Sequence, residues 1–68
     1  MVKMDDAIIK TLAQGLVDRV SQKNWETALI ELRKALKQSR LFSYEEIDEG
    51  IVKIRGAAYA ISTPKTTK

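Results

Sequence analysis

Acidic side chains occur in three adjacent pairs, and carboxylate pairs are the groups best suited to general acid–base catalysis. The pairs are Asp5 with Asp6, Glu45 with Glu46, and Asp48 with Glu49. Catalysis would require one carboxyl group of a pair to be held in a cleft, away from water. All three pairs instead fall in the first turns of predicted helices, where carboxylates bind free N–H groups and favour the helix dipole. We therefore interpret them as residues that stabilise helix starts.

The other common reactive groups are missing from the sequence. It contains no Cys and no His, which removes the thiol nucleophile, any disulfide and the commonest metal ligand. Without His, the Ser and Thr hydroxyls lack an ordinary base that could activate them. Gly15, Gly50 and Gly56 are too dispersed for a phosphate-binding loop. The sequence thus predicts a protein that is not an enzyme and that uses no metal and no cofactor.

Length and composition indicate one small globular domain. The chain has 68 residues, of which 44% are hydrophobic and 31% charged, and its net charge is +3. A domain of this size buries only about 60% of its unfolded surface, so its stability is expected to be modest. Asp5, Asp6 and Lys10 lie where a signal peptide would need apolar residues. The longest apolar run, residues 57–61, is far shorter than a membrane span, so a cytoplasmic protein is expected.

Three segments have apolar residues at helical spacing, over about residues 5–20, 25–39 and 44–61, and none alternates as a strand would. The predicted fold class is all-α, a compact three-helix bundle in residues 1–62. Residues 63–68 are predicted to form a short, flexible, basic tail. A helical hairpin that dimerises into a four- or six-helix assembly fits the same pattern.

The polar residues between these segments mark the predicted helix starts. Ser21 and Asn24 are alternative N-caps of the second helix. Ser43 and Glu46 have the spacing of a capping box, in which each side chain binds the backbone N–H of the other residue. The start of the third helix is therefore the most sharply defined.

Apolar residues outside the predicted core stripes indicate a protein-binding surface. Ile30 points away from the core side of the second helix, and Val52 and Tyr59 lie off the core stripe of the third, beside Arg55. A second apolar strip of this kind is typical of a surface for a partner or for self-association. The alternative is that Val52 and Tyr59 complete the core of the bundle. Trp25 is predicted to anchor the core at the start of the second helix. The alternative is that it protrudes as a residue important for binding, a role in which Trp is enriched.

A basic second helix supports a different role, nucleic-acid binding. The cations that would contact phosphates lie on the second helix and in the tail: Arg33, Lys34, Lys37, Arg40, Lys65 and Lys68. A helix-turn-helix would place the start of the third helix in the major groove, but residues 45–49 carry four carboxylates. These carboxylates would face the phosphates, so this docking mode is unfavourable. Contact with phosphates alone, through the second helix and the tail, would neutralise few phosphates, so it is expected to be weak and to depend strongly on salt.

The sequence thus favours a non-catalytic helical binding module that acts as an accessory or regulatory subunit of a larger complex. A complex that handles nucleic acid, in replication or transcription, would suit the basic second helix. The expected partner is a larger protein, with homo-oligomerisation as a further option. The alternative function is nucleic-acid binding through the basic face and tail. Neither a membrane nor a small-molecule substrate is expected.

Overall fold

The structure is a computed structural model that describes residues 3–62 of the chain. Within this range the protein is an all-α bundle of three helices, which is the predicted fold class. The helices are α1 (Asp6–Arg19), α2 (Trp25–Ser39) and α3 (Tyr44–Ser62). Helix α2 begins and ends at the predicted residues, α1 is one residue shorter than predicted at each end, and α3 is one residue longer at its C-terminal end. The predicted tail lies outside the described residues.

Helix α3 is the central helix of the bundle. It packs against both α1 and α2, whereas α1 and α2 contact each other only marginally. One side of α3 is buried along its length because its inward residues recur every three or four positions. These residues are Ile47, Gly50, Ile51, Ile54 and Ala58. The other two helices add Ile9, Ala13, Leu16, Trp25 and Leu29. The core therefore lies along α3.

The starts of the first two helices are stabilised in different ways. At α1, the Asp5 carboxylate accepts a hydrogen bond from the backbone N–H of Ile8 at 3.0 Å, as an N-cap does. At α2, neither Ser21 nor Asn24 makes the predicted side-chain cap. A 3₁₀ turn, Gln22–Asn24, precedes the helix instead, and the Asn24 N–H donates to the Ser21 carbonyl at 2.8 Å. Backbone hydrogen bonds of this turn are therefore found at the start of α2, where a side-chain N-cap was predicted.

The start of α3 contains half of the predicted capping box and one contact that was not predicted. The Ser43 hydroxyl accepts a hydrogen bond from the Glu46 N–H at 3.2 Å, as expected. The Glu46 carboxylate, however, accepts from the backbone N–H of Met4 at 3.3 Å. The Met4 side chain is buried and lies where a Cβ atom on Gly50 would stand. Glu46 and Gly50 thus hold the N-terminal segment against α3.

Helix α2 is followed by Arg40, which adopts a left-handed conformation with φ 60° and ψ 20°. This is the position where glycine is commonest, because a Cβ atom makes the left-handed region unfavourable. The Ser39 hydroxyl donates to the Leu36 carbonyl at 2.7 Å and accepts from the Leu41 N–H at 3.3 Å. These bonds close the turn that leads to α3.

Candidate functional site

Two ion pairs join α2 to α3. Arg33 Nε donates to Asp48 Oδ1 at 2.9 Å, and Arg55 Nη2 donates to Glu26 Oε1 at 3.0 Å. About half of the Arg33 and Asp48 side chains remains exposed, at 48% and 53%. Exposed pairs of this kind contribute little stability, about 0.2–1 kcal/mol each. Their positions show how the two helices are aligned.

A third contact between these helices follows the same alignment. The Lys37 Nζ atom lies 4.7 Å from the centre of the Tyr44 ring, within the range of a cation–π interaction. The cation–π contact joins position 37 of α2 to position 44 of α3. The two ion pairs join position 33 to position 48 and position 26 to position 55. From one contact to the next, the residue number on α2 falls by four and then by seven, and the number on α3 rises by the same amounts. The helices are therefore antiparallel, with one constant register.

Aromatic residues meet at the opposite end of this interface. Trp25 is buried, and its Nε1–H donates to the Val20 carbonyl at 2.8 Å. The Trp25 and Tyr59 rings meet edge to face, with centroids 4.9 Å apart and planes at 69°. The structure therefore places Trp25 in the core, as predicted. Tyr59 packs on it and keeps 37% of its surface exposed, so it belongs partly to the core and partly to the surface.

Ile30 and Val52 are exposed apolar residues on the same side of the bundle. Ile30 lies between Glu26 and Arg33 on α2, and Val52 lies between Asp48 and Arg55 on α3. The constant register therefore brings them to the same level of the interface. Ile30 is 54% exposed and Val52 is 63% exposed, so Val52 does not complete the core.

The structure thus brings the predicted protein-binding residues to one surface, although their binding role stays a prediction. We call this surface the α2/α3 face and define it by Ile30, Val52, Arg55 and Tyr59. Two of these residues are largely exposed, Tyr59 is partly exposed, and Arg55 is held by an ion pair. The face therefore combines an apolar centre with fixed charges beside it.

The predicted phosphate-binding cations are distributed less favourably. Arg33 faces the Asp48 carboxylate, and Lys37 lies over the Tyr44 ring, so both already interact within the chain. Lys34 is exposed, and Arg40 is the residue after α2, where the backbone is left-handed. Lys65 and Lys68 lie outside the described residues. Within the described part of the chain, the basic side of α2 therefore borders a carboxylate.

A second surface was not predicted from the sequence. Because α1 and α2 barely touch, an apolar cleft of about 380 Å³ lies between them. The lining residues are Thr11, Leu12, Gly15, Leu16, Arg19, Val20, Ala28 and Leu32. Leu12, Ala28 and Leu32 are only half-buried there. The broad apolar stripes of the first two helices were the available signal, but they were assigned to contacts inside the bundle.

One carboxylate of each acidic pair makes a structural contact. Asp5 caps α1, Glu46 binds the Met4 backbone, and Asp48 pairs with Arg33. Among residues 3–62, no group of three or more acidic side chains is arranged to hold a metal ion. None of the helices in that range is long and apolar enough to cross a membrane.

Comparisons with known proteins give no relative from which a role could be transferred. No protein-family model, no curated protein and no solved structure matches this chain. The two surfaces just described, the α2/α3 face and the cleft between α1 and α2, are therefore the features of the molecule that bear on its function.

Proposed function

We propose that this protein is a non-catalytic helical binding module and acts as an accessory or regulatory subunit of a larger protein complex. The α2/α3 face is its docking surface. The observation that carries the proposal is the exposure of Ile30 and Val52 at one level of the bundle, beside two ion pairs.

The composition of this face suits a protein partner. Protein interfaces combine an apolar centre, which loses its water on binding, with a polar rim that stays hydrated. Ile30 and Val52 supply the centre, and the pairs Arg33–Asp48 and Glu26–Arg55 supply the rim. Tyr59 adds an amphipathic aromatic side chain, a type that is enriched among residues important for binding.

The rigidity of the face also favours binding. The charged side chains are already paired within the chain, and the Tyr59 ring is supported by Trp25. A partner therefore meets side chains that already make contacts within the chain. Binding then loses less conformational entropy than it would on a flexible surface.

The test is affinity capture with the full chain and a charge-neutral double variant, Ile30→Lys with Val52→Asp. Proteins retained from a lysate of the source cells, with and without nuclease treatment, are quantified by mass spectrometry. We expect the double variant to lose the specifically retained protein, because it places two charges at the apolar centre. Its circular dichroism spectrum should not change, because both residues are exposed.

A matched control carries the same charges elsewhere, as Leu41→Lys with Ile61→Asp. Leu41 is 53% exposed in the connection between α2 and α3, and Ile61 is exposed near the end of α3. This control should retain the partner as the unaltered protein does. Equal retention by all three proteins would contradict the proposal. Tyr59 is left unaltered because its contact with Trp25 would mix binding with stability.

Nucleic-acid binding is the competing outcome of the same experiment. If everything retained disappears after nuclease treatment, the basic residues of α2 become the working site. Replacing Arg33, Lys34 and Lys37 with Ala should then weaken binding to duplex DNA equally for all sequences. It should also reduce the dependence of the affinity on salt. A protein retained after nuclease treatment, and lost only with the double variant, supports the docking function instead.

A further inference from the structure

The α2/α3 face is built from an eight-residue pattern that occurs twice in the chain, once in each helix. Residues 26–33 read Glu-Thr-Ala-Leu-Ile-Glu-Leu-Arg, and residues 48–55 read Asp-Glu-Gly-Ile-Val-Lys-Ile-Arg. Both copies of the pattern have an acidic first residue, a small third residue, apolar fourth, fifth and seventh residues, and a final arginine. The fourth residues, Leu29 and Ile51, are buried, whereas the fifth residues, Ile30 and Val52, are exposed. The two helices therefore present equivalent residues to the core and to the surface.

The antiparallel packing of the two helices turns this repeat into a symmetric surface. A half-turn about an axis perpendicular to the face, between its two exposed apolar residues, exchanges α2 with α3. Arg33, which ends the first copy of the pattern, pairs with Asp48, which begins the second. Arg55, which ends the second copy, pairs with Glu26, which begins the first. The same half-turn thus exchanges the two ion pairs, and the face has an approximate internal twofold axis.

The charges on this face alternate in sign around its apolar centre. On α2 the carboxylate of Glu26 comes first and the guanidinium of Arg33 two turns later, about 10 Å along the helix. On α3 the order in space is reversed, because Arg55 lies beside Glu26 and Asp48 lies beside Arg33. The four groups therefore form a rectangle with alternating signs, and their charges sum to zero.

A surface with this arrangement is complementary to a copy of itself. When a second copy is turned over and laid on the first with its helices aligned, each of its arginines comes opposite a carboxylate of the first copy. This holds whether the second copy is turned about the helix direction or about the line across the helices, because the signs alternate in both directions. Ile30 and Val52 of the two copies meet at the centre. Apolar contact surrounded by opposite charges is the composition of a specific protein interface.

The same alternation disfavours partners whose charges have one sign. A nucleic acid laid on this face would bring phosphates against the carboxylates of Glu26 and Asp48 as well as against the two arginines. A strongly basic surface would meet the arginines in the same unfavourable way. Like charges placed opposite each other at an interface reduce affinity. A second copy of the chain avoids both conflicts, because it carries the same four charges in the complementary order.

We propose that two copies of this chain associate face to face through the α2/α3 face. The contact would be isologous, with α2 and α3 of each copy forming one layer of a four-helix arrangement. One face cannot hold a second copy and another protein at the same time, so self-association would compete with the partner of the proposed function. This competition rests on the proposed function, whereas the dimer itself does not depend on it.

A variant with all four charges inverted tests the role of the charge pattern. Its substitutions preserve both ion pairs within the chain and the net charge; they are Glu26→Arg, Arg33→Asp, Asp48→Arg and Arg55→Glu. The signs still alternate, so the inverted variant should associate with itself with a dissociation constant within about threefold of the original. Laid on the original chain, it places like charges opposite each other at all four positions. The mixed contact should therefore be at least about tenfold weaker at low salt.

NMR titration of the full chain measures these differences. Isotopically labelled original chain at about 50 µM receives unlabelled original chain, up to about 1 mM, in one sample and unlabelled inverted variant in another. The original chain should shift the amide signals around Ile30 and Val52, and the inverted variant should leave them nearly unchanged. Labelled inverted variant titrated with unlabelled inverted variant is the matched control, because it has the same substitutions. It should show shifts of the same size as the original chain does with itself.

Two results of the titrations would overturn the inference. The first is the absence of concentration-dependent shifts at this face up to about 1 mM, and the second is equal shifts from the original and inverted chains. A further variant, Ile30→Asp with Val52→Asp, places like charges at the apolar centre and should abolish the shifts while its circular dichroism spectrum stays unchanged. Association that persists in this variant would also contradict the inference.

Affinity capture separates this inference from the proposed function. A chain that stays monomeric but retains a protein through Ile30 and Val52 would leave the proposed function standing and overturn the dimer. A chain that forms the dimer but retains no other protein would support the dimer and overturn the proposed function.

Discussion

Helix α3 is joined to its two neighbours by different kinds of interface. Toward α1 the interface is apolar and extensive, and Ala13 and Ala58 on these helices have no exposed surface at all. Toward α2 the interface is shorter and is flanked by exposed side-chain pairs such as Arg33–Asp48. Burial of apolar surface contributes most of the stability of a small domain, whereas exposed ion pairs contribute little. Helix α1 is therefore held by an extensive apolar interface, whereas α2 is held by fewer buried residues and has exposed charged pairs at the edge of its interface.

This difference explains where the candidate surfaces lie. The fully buried residues of α2 are Trp25 and Leu29, which are both in its first half. Farther along α2, Leu32 and Leu36 are only half-buried. The least covered helix thus contributes to both candidate surfaces, with one side on the α2/α3 face and the other on the cleft. A helix that is only partly covered within its own chain retains apolar surface that a partner can cover.

The strongest test of the comparison removes the main anchor of α2. Trp25→Ala should lower the free energy of unfolding by about 3–5 kcal/mol, because it empties a large buried site. Urea denaturation followed by circular dichroism measures this loss. Trp25→Phe keeps an aromatic ring but leaves the Val20 carbonyl without its donor, so a smaller loss of about 1–3 kcal/mol is expected. A loss below about 1 kcal/mol for Trp25→Ala would show that α2 does not depend on this residue.

The α1 side of α3 is tested by filling the space at Gly50. Gly50→Ala would place a Cβ atom in the space of the Met4 side chain, so we expect a loss of about 1–3 kcal/mol. Gly56→Ala is the matched control and should gain about 0.5–1 kcal/mol, because its Cβ atom meets nothing. Adding Met4→Ala to Gly50→Ala should recover part of the loss. If both glycine variants gain stability equally, the contact of Met4 with α3 is not part of the folded state.

The end of α2 offers a stabilising change. Arg40→Gly should raise the free energy of unfolding by about 0.4–1 kcal/mol, because glycine adopts the left-handed conformation without strain. Arg40→Ala removes the same charge but keeps the Cβ atom, so it should give no such gain. Thermal unfolding of the two variants side by side separates the backbone effect from the charge effect. An equal gain in stability for Arg40→Gly and Arg40→Ala would show that removal of the charge, and not the backbone conformation, is the cause.

The smallest expected effect is that of the ion pairs between α2 and α3. A double-mutant cycle with Arg33→Ala and Asp48→Ala should give a coupling energy of about 0.2–0.5 kcal/mol at low salt. In about 1 M NaCl the coupling should fall close to zero, because exposed charges are screened. A coupling above about 1 kcal/mol would contradict the description of these pairs as exposed contacts of little energetic weight.

Local sequence patterns predicted the helices well because the necessary information is local. Apolar spacing and the Ser43 cap depend on residues within one or two turns of each other. The exposure of Ile30 and Val52 also followed from helical angles within single helices. The side-chain pairs Arg33–Asp48 and Glu26–Arg55 could not be predicted in the same way, because they depend on the register between two helices.

The contacts that the sequence analysis missed involve segments far apart in the chain. Gly50 falls on the core stripe of α3, and a glycine at such a position indicates a close approach without identifying what approaches. The structure identifies it as Met4, in a segment with no periodicity of its own. The cleft was missed for a related reason. The stripes of α1 and α2 show that each helix has a broad apolar side, but not that the two helices stay apart.

The hydrogen bond from the Met4 N–H to Glu46 has a consequence for how the chain folds during its synthesis. The two residues are 42 positions apart, and α1 packs against a helix whose buried residues extend to Ala58. Helix α1 is made before α2 and α3, so its main partner, α3, follows it by more than twenty residues of chain. Contacts between distant residues form slowly because a long loop must close first. Newly made chains therefore expose the apolar sides of α1 and α2 until α3 has left the ribosome, and the domain folds after most of it has been translated.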